Sequence, residues 1–156
     1  MQSLFLRLRS RAFHILFLLT RPMTLGARVM LFNAAGEICL IKHGYVAGWQ
    51  LPGGGVDAGE TIAAAAAREL AEEAGFEPIG PLTLFAVYQN PKASKRDHVL
   101  LYVCKQALPI QGFKIDGREI IDCRFFASDA LPDDVTASTK RRILEVLHTV
   151  PADAVW

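Results

Sequence analysis

Residues 54–76 read GGVDAGETIAAAAARELAEEAGF, and this stretch constrains the fold more than any other. Thr61 can cap a helix start, the alanine run favours helix, and Gly75 stops it, so a helix is predicted over Thr61–Ala74. On that helix Glu69, Glu72 and Glu73 stand at i, i+3 and i+4 and share one face. Like charges so placed weaken a helix unless something positive opposes them. Arg68, four residues before Glu72, relieves only part of the repulsion. A divalent cation would relieve more, and carboxylate oxygens suit the hard ions Mg²⁺ and Mn²⁺. For the glutamates alone a solvated acidic face is an open alternative. Gly53, Gly54 and Gly55 shift the balance, because glycine lets a backbone take positive φ and approach a ligand closely. Together, loop and helix read as a metal and phosphate cradle.

Around this segment the pattern is mostly strands. Leu25–Phe32 and Ile38–His43 are extended apolar runs, and Asn33-Ala34-Ala35-Gly36 between them reads as a hairpin turn. A short Trp49–Leu51 strand precedes the glycines. Further strands are expected at Leu82–Tyr88, His98–Lys105 and Ile121–Phe126. Thr136–Thr149 reads as a closing amphipathic helix, with Ile143, Val146, Leu147 and Val150 at core spacing. The class is therefore α/β (α+β), a mixed sheet with helices packed on it.

With 156 residues, 51% hydrophobic and 21% charged, the chain is one domain's worth and can bury a core. Disorder, collagen and coiled coil are excluded on composition. Cys39, Cys104 and Cys123 form no CxxC pair and sit in apolar runs, as buried reduced thiols of a cytoplasmic protein would. The net charge of +1 hides an asymmetry. Arg7, Arg9, Arg11, Arg21 and Arg28 are the only charges in the first 36 residues, whereas the rest holds 12 basic and 16 acidic residues. An acidic body argues against a broad nucleic-acid-binding face, and no nucleic-acid partner is expected.

The leader Met1–Thr20 is basic and apolar. Its longest unbroken apolar run, Ile15–Leu19, is too short to span a bilayer, and Thr20-Arg21-Pro22 offers no signal-peptide cleavage site. Two readings stay open. One is a helix packed on the domain or on a second subunit of a homodimer. The other is a basic amphipathic helix lying in a membrane surface.

The segment resembles the Nudix box, G-x5-E-x7-R-E-U-x-E-E-x-G-U with U apolar. Gly54, Glu60, Arg68, Glu69, Leu70, Glu72, Glu73, Gly75 and Phe76 fill every fixed position at the right spacing. The strand order is similar to the Nudix fold, an α/β/α sandwich with a mixed β-sheet, over about residues 24–150. A Nudix domain at 23–156 would then follow a helical extension at 1–22. The resemblance implies a pyrophosphohydrolase acting on a nucleoside diphosphate linked to another moiety, with Mg²⁺ or Mn²⁺ activating a water. It further implies that Glu69 and Glu73 are principal metal ligands, with Glu72 a third or water-mediated one and the Gly53 carbonyl completing the set. Arg68 would orient a box glutamate, while Glu60 and Gly54 would support the site. The general base is a box glutamate or an acid from a later loop, for which Glu119 is the best candidate. Asp116 and Asp122 are alternatives.

Substrate contacts are less defined. Tyr45 and Trp49 flank the glycine loop, where an aromatic can stack on a base, though Trp49 also begins a strand. In the polar segment Tyr88–His98, the residues Tyr88, Asn90, Lys92, Lys95 and Arg96 are candidates for meeting the nucleotide, against a solvated loop. His98 could be a proton donor or a ligand, or neither, as a lone histidine at a strand start. Pro91 falls at a spacing similar to that of ADP-ribose-cleaving members, while nucleoside triphosphates, oxidised ones included, are the other large class. A nucleotide-sensing module without turnover is the rival reading. It would be marked by lost glutamates, and none is lost.

Overall fold

Alternation along the first strand sets the layers. In the computed structural model, which describes residues 22–156, Ala27, Val29 and Leu31 enter one core while Met30 enters the opposite one. The leader, with its expected helix at Met1–Thr20, lies outside the described residues. In chain order come β1 (Thr24–Leu31), β2 (Ile38–His43), β3 (Trp49–Gln50), α1 (Ile62–Glu69) and a π-helical turn (Leu70–Ala74). There follow β4 (Phe76–Pro78), β5 (Thr83–Gln89), β6 (Asp97–Cys104), β7 (Ala107–Pro109), β8 (Ile120–Phe126) and α2 (Ala137–Val146).

One sheet is mixed: β1 runs parallel to β6, and β6 antiparallel to β5. A second, antiparallel sheet has the order β3-β2-β8, and β4 pairs with β7. Ala65, Ala66 and Leu70 from α1 and its π turn fill the first core, and Ile143 of α2 fills the second with Leu40, Leu51 and Leu101. The helices thus cover opposite faces, which is the α/β/α layering expected. Thr61 Oγ1 accepts from the Ala64 N–H at 3.2 Å, and Thr136 caps α2 in the same way.

Four local expectations are corrected. The Asn33–Gly36 turn forms, with Asn33 Oδ1 accepting from the Ala35 and Glu37 N–H groups, but it joins no paired hairpin. β1 pairs with β6 over its whole length, and only the Phe32–Ile38 bridge links the first two strands. The first helix changes register at Leu70, where the Gly75 N–H reaches both Ala71 and Leu70 carbonyls in a widened turn. β4 and β7 have three residues each, too few to show a period. Finally, α2 stops at Val146, and Leu147, expected in the core, is exposed because the chain turns out through His148 at φ 58°.

The C-terminal segment returns to β5. The Gln89 N–H donates to the Ala154 carbonyl, and the Trp156 N–H donates to the Gln89 carbonyl, each at 2.9 Å. Beneath it lie Arg142 and Glu145, at 0% and 1% exposure, paired at 2.7 Å. The Cys39 and Cys123 sulfurs are 3.5 Å apart as free thiols. No helix among the described residues is long and apolar enough to cross a membrane.

Candidate active site

The glycine loop is held on the free edge of β1. The Val29, Ala27 and Val56 N–H groups donate to the Pro52, Gly54 and Leu25 carbonyls, all at 2.9 Å. Side chains would break this approach. A Cβ on Gly53, whose φ is 143°, would stand 2.8 Å from the Arg28 Cα, and one on Gly54 would stand 2.6 Å from Glu69 Oε1. The loop therefore presses on the carboxylates of α1 and the π turn. Across that contact the Gly53 N–H donates to Glu73 Oε2 at 2.6 Å.

Arg68 gathers the acidic residues on its side of the helix. Its Nη1 reaches Glu69 Oε1 at 2.6 Å and Glu72 Oε2 at 3.1 Å, and its Nη2 reaches Glu60 Oε1 at 2.9 Å. Nη2 also donates to the Gly55 carbonyl at 3.1 Å, so one guanidinium ties helix to loop. The Glu60 carboxyl is held below its ordinary range by Arg68 and by the Asp57 N–H.

The three box glutamates do not share one environment. Glu72 is exposed, Glu69 is partly covered, and Glu73 is buried. Burial pushes the Glu73 carboxyl up to about 7; Glu69 and Glu119 add to the rise, while the Gly53 N–H and Arg28 oppose it. Nearby, the His43 imidazole is lowered from its ordinary value by burial and by Arg28. His43 Nε2 stands 3.7 Å from Glu73 Oε1. The Arg28 guanidinium donates to the Leu51 carbonyl at 2.9 Å and is itself lowered by burial.

Two bays meet here. One, of about 380 Å³, is lined by Glu72, Lys114, Asp116 and Ile120; the other, of about 340 Å³, by Arg28, His43, Tyr45 and Gly53–Gly55. Glu69, Glu73 and Glu119 line both. Glu119 is exposed at the mouth, and Tyr45 Oη donates to it at 3.3 Å. The two alternative acids have other tasks. Asp116 Oδ1 accepts from the Arg118, Glu119 and Ile120 N–H groups and shapes the turn, while Asp122 pairs with Arg124 at 2.6 Å.

Several expected substrate contacts lie elsewhere. Tyr88 is corrected outright: it is fully buried, its Oη donates to Glu145 Oε2 at 2.9 Å, and the Arg142 guanidinium lies 4.1 Å over its ring. Trp49 is buried in the second core, edge-on to Phe126 at 4.9 Å, which leaves it no face for a base. Asn90 donates to Asp97 Oδ2 at 2.8 Å and closes its own loop. Lys92, Lys95 and Arg96 are exposed on that loop, which the Thr24 N–H anchors to β1 through the Arg96 carbonyl at 3.2 Å. His98 is the second residue of β6, paired with Leu25, and lies outside both bays. Conversely, Arg28 and His43 join the site although neither was singled out from sequence as a site residue. Their available signal was a charge inside an apolar run and an imidazole ending one.

Comparisons with known proteins identify the family. A family model described as NUDIX domain matches residues 22–147. A Bacillus subtilis (strain 168) protein with the provisional name 8-oxo-dGTP diphosphatase is 34% identical over 122 residues, 77% of each chain. The crystal structure of a MutT NUDIX hydrolase from Burkholderia pseudomallei superposes with a TM-score of 0.65 at 27% identity, covering 78% of this chain and 95% of that one. An RNA pyrophosphohydrolase of Roseobacter denitrificans is 50% identical over only 52 residues, 32% of each chain. The chain belongs to the Nudix family of hydrolases and is a pyrophosphohydrolase by class.

Proposed function

We propose that this chain hydrolyses the pyrophosphate bond of a small nucleotide in the cleft formed by the two bays, with Mg²⁺ or Mn²⁺ as cofactor. The observation that carries the reading is that Glu69 and Glu73 from one helical segment and Glu119 from a distant loop line both bays. The donor set fits a hard divalent cation. Burial raises Glu73, Glu69 and Glu119 add to the rise, and a cation among these three carboxylates would neutralise their mutual repulsion. Glu69, Glu73, Glu72 and the Gly53 backbone are the groups proposed to hold it. When bound, such an ion offsets phosphate charge and acidifies a water.

The chain's own residues supply the rest. Arg68 fixes Glu69 and Glu72 in place, so the carboxylates are oriented before substrate arrives. Glu119, exposed at the mouth, is the proposed proton acceptor from the attacking water. Arg28 stands beside Glu69 and Glu73 as a fixed positive charge that a phosphate oxygen can meet. Tyr45, exposed on the rim, offers a ring face to a base. Among substrates we favour nucleoside triphosphates, oxidised ones included. The support is the name of the Bacillus subtilis relative, which matches over 77% of its length, whereas the RNA pyrophosphohydrolase match covers a third.

The test is phosphate release across a panel of canonical and oxidised nucleoside triphosphates, ADP-ribose, nucleotide sugars and 5′-triphosphorylated RNA, with Mg²⁺ or Mn²⁺. A metal-dependent hit that Glu73→Gln removes supports the hydrolase. Silence across the panel from folded protein supports the sensing module instead.

A further inference from the structure

His43 lines this cleft from outside the Nudix box. It ends β2, its side chain is 6% exposed, and it packs beside the Tyr45 ring at 5.2 Å between centroids. A buried imidazole ordinarily has both nitrogens hydrogen-bonded. Here Nδ1 is buried with no partner, and Nε2 is 3.7 Å from Glu73 Oε1, too far for a hydrogen bond. One ligand atom each from His43, Glu73 and Glu119 nevertheless fall within 4.8 Å of one another. The imidazole therefore faces two carboxylates without bonding to either.

Resting on the metal-dependent reading above, we propose that His43, Glu73 and Glu119 form a mixed nitrogen–oxygen site for a first-row transition-metal dication, so that this chain takes Mn²⁺ or Co²⁺ in preference to Mg²⁺. The reason is donor chemistry. Mg²⁺ demands oxygen ligands in a near-ideal octahedron and keeps its waters, so a nitrogen donor gives it little. Transition-metal dications accept imidazole readily, with affinity rising from Mn²⁺ to Co²⁺. Glu73 and one oxygen of Glu119 supply charge, which leaves the second Glu119 oxygen to accept the proton, and the nitrogen supplies discrimination. The site sits in the glycine-side bay, where His43 is the sole nitrogen ligand that the three-residue set contains.

The decisive measurement is metal binding to the full, metal-stripped chain by calorimetry with Mn²⁺, Co²⁺ and Mg²⁺ in turn, joined to pulsed electron paramagnetic resonance of the Mn²⁺-loaded protein. The expected result is a ¹⁴N imidazole coupling to Mn²⁺ and Co²⁺ binding at least about tenfold tighter than Mg²⁺. His43→Phe, which keeps a ring beside Tyr45, should abolish the coupling and bring the Co²⁺ to Mg²⁺ ratio to within about threefold. His43→Gln, polar and smaller, reads the same loss should the phenylalanine variant fail to fold. Absence of ¹⁴N coupling in the wild type overturns the site, as does an unchanged metal ratio in the variants. If Glu73→Gln still weakens all three ions in that case, an all-oxygen site and the hydrolase reading both stand. Binding of none of the three ions by folded wild-type protein removes both.

Discussion

The Gly53 amide and the Glu73 carboxylate meet at 2.6 Å, and this one bond joins the glycine loop to the π turn that ends the first helix. Glu73 is thereby buried while it still faces a cleft. Its pKa is raised from 4.5 to about 7, so folding favours the protonated form. The sign follows directly. The stability that this proton contributes is fully present below about pH 4.5 and is lost as pH rises through about 7. Melting curves of metal-free protein should show the decline across that window. Glu73→Gln, which keeps an acceptor for the Gly53 N–H, should flatten it while abolishing turnover.

The same group makes metal binding depend on pH. A cation at Glu73 must displace its proton, so apparent affinity should fall as pH drops below about 7, with close to one proton released per ion bound. Calorimetry in buffers of different ionisation enthalpy counts that proton.

Arg68 contacts Glu60, Glu69, Glu72 and the Gly55 carbonyl at once. Lysine retains the charge but not the fork that makes these contacts together. Arg68→Lys should therefore lower kcat by about 10–100-fold, the usual cost of losing a group that orients a metal ligand. Only a small change in Tm is expected, because the arginine lies at the edge of the cleft. Steady-state kinetics beside a thermal melt separates the two effects.

Gly54→Ala would put a methyl group 2.6 Å from Glu69 Oε1, so the carboxylate must move. A misplacement of that order costs about a hundredfold in rate. The variant should fold, bind divalent ions more weakly and turn over slowly. Near-wild-type kinetics would show that Glu69 tolerates displacement.

The Glu145–Arg142 pair offers a contrast, since both residues are buried and neither lines the two bays. Glu145→Ala leaves an uncompensated guanidinium under Trp156 and removes the acceptor for Tyr88. It should cost about 3–5 kcal/mol in urea unfolding. Below the transition, turnover per folded molecule should stay unchanged.

The box was legible because its parts are contiguous: cap, helix, arginine and carboxylates follow one another at fixed spacing, and Arg68 does reach the glutamates. Contributions from distant strands were not. Arg28 and His43 enter the cleft only because the glycine loop lies along β1 and because β2 ends beside Glu119, and pairing of that kind leaves no periodic trace. Tyr88 misled for a related reason. It closes a strand and opens a polar segment, but strand alternation points it inward, where Arg142 and Trp156 wait. The π turn was hidden as well, since residue pattern does not report which carbonyl an amide chooses.

The wall shared by the two bays has a thermodynamic consequence. Glu69, Glu73 and Glu119 face both compartments, so a positive ion settling in one reduces the repulsion that a polyphosphate meets in the other. Linkage is reciprocal: whatever factor the ion lends to nucleotide affinity, the nucleotide returns to the ion. Loading of the proposed site should then be cooperative between unlike ligands, the first to arrive recruiting the second.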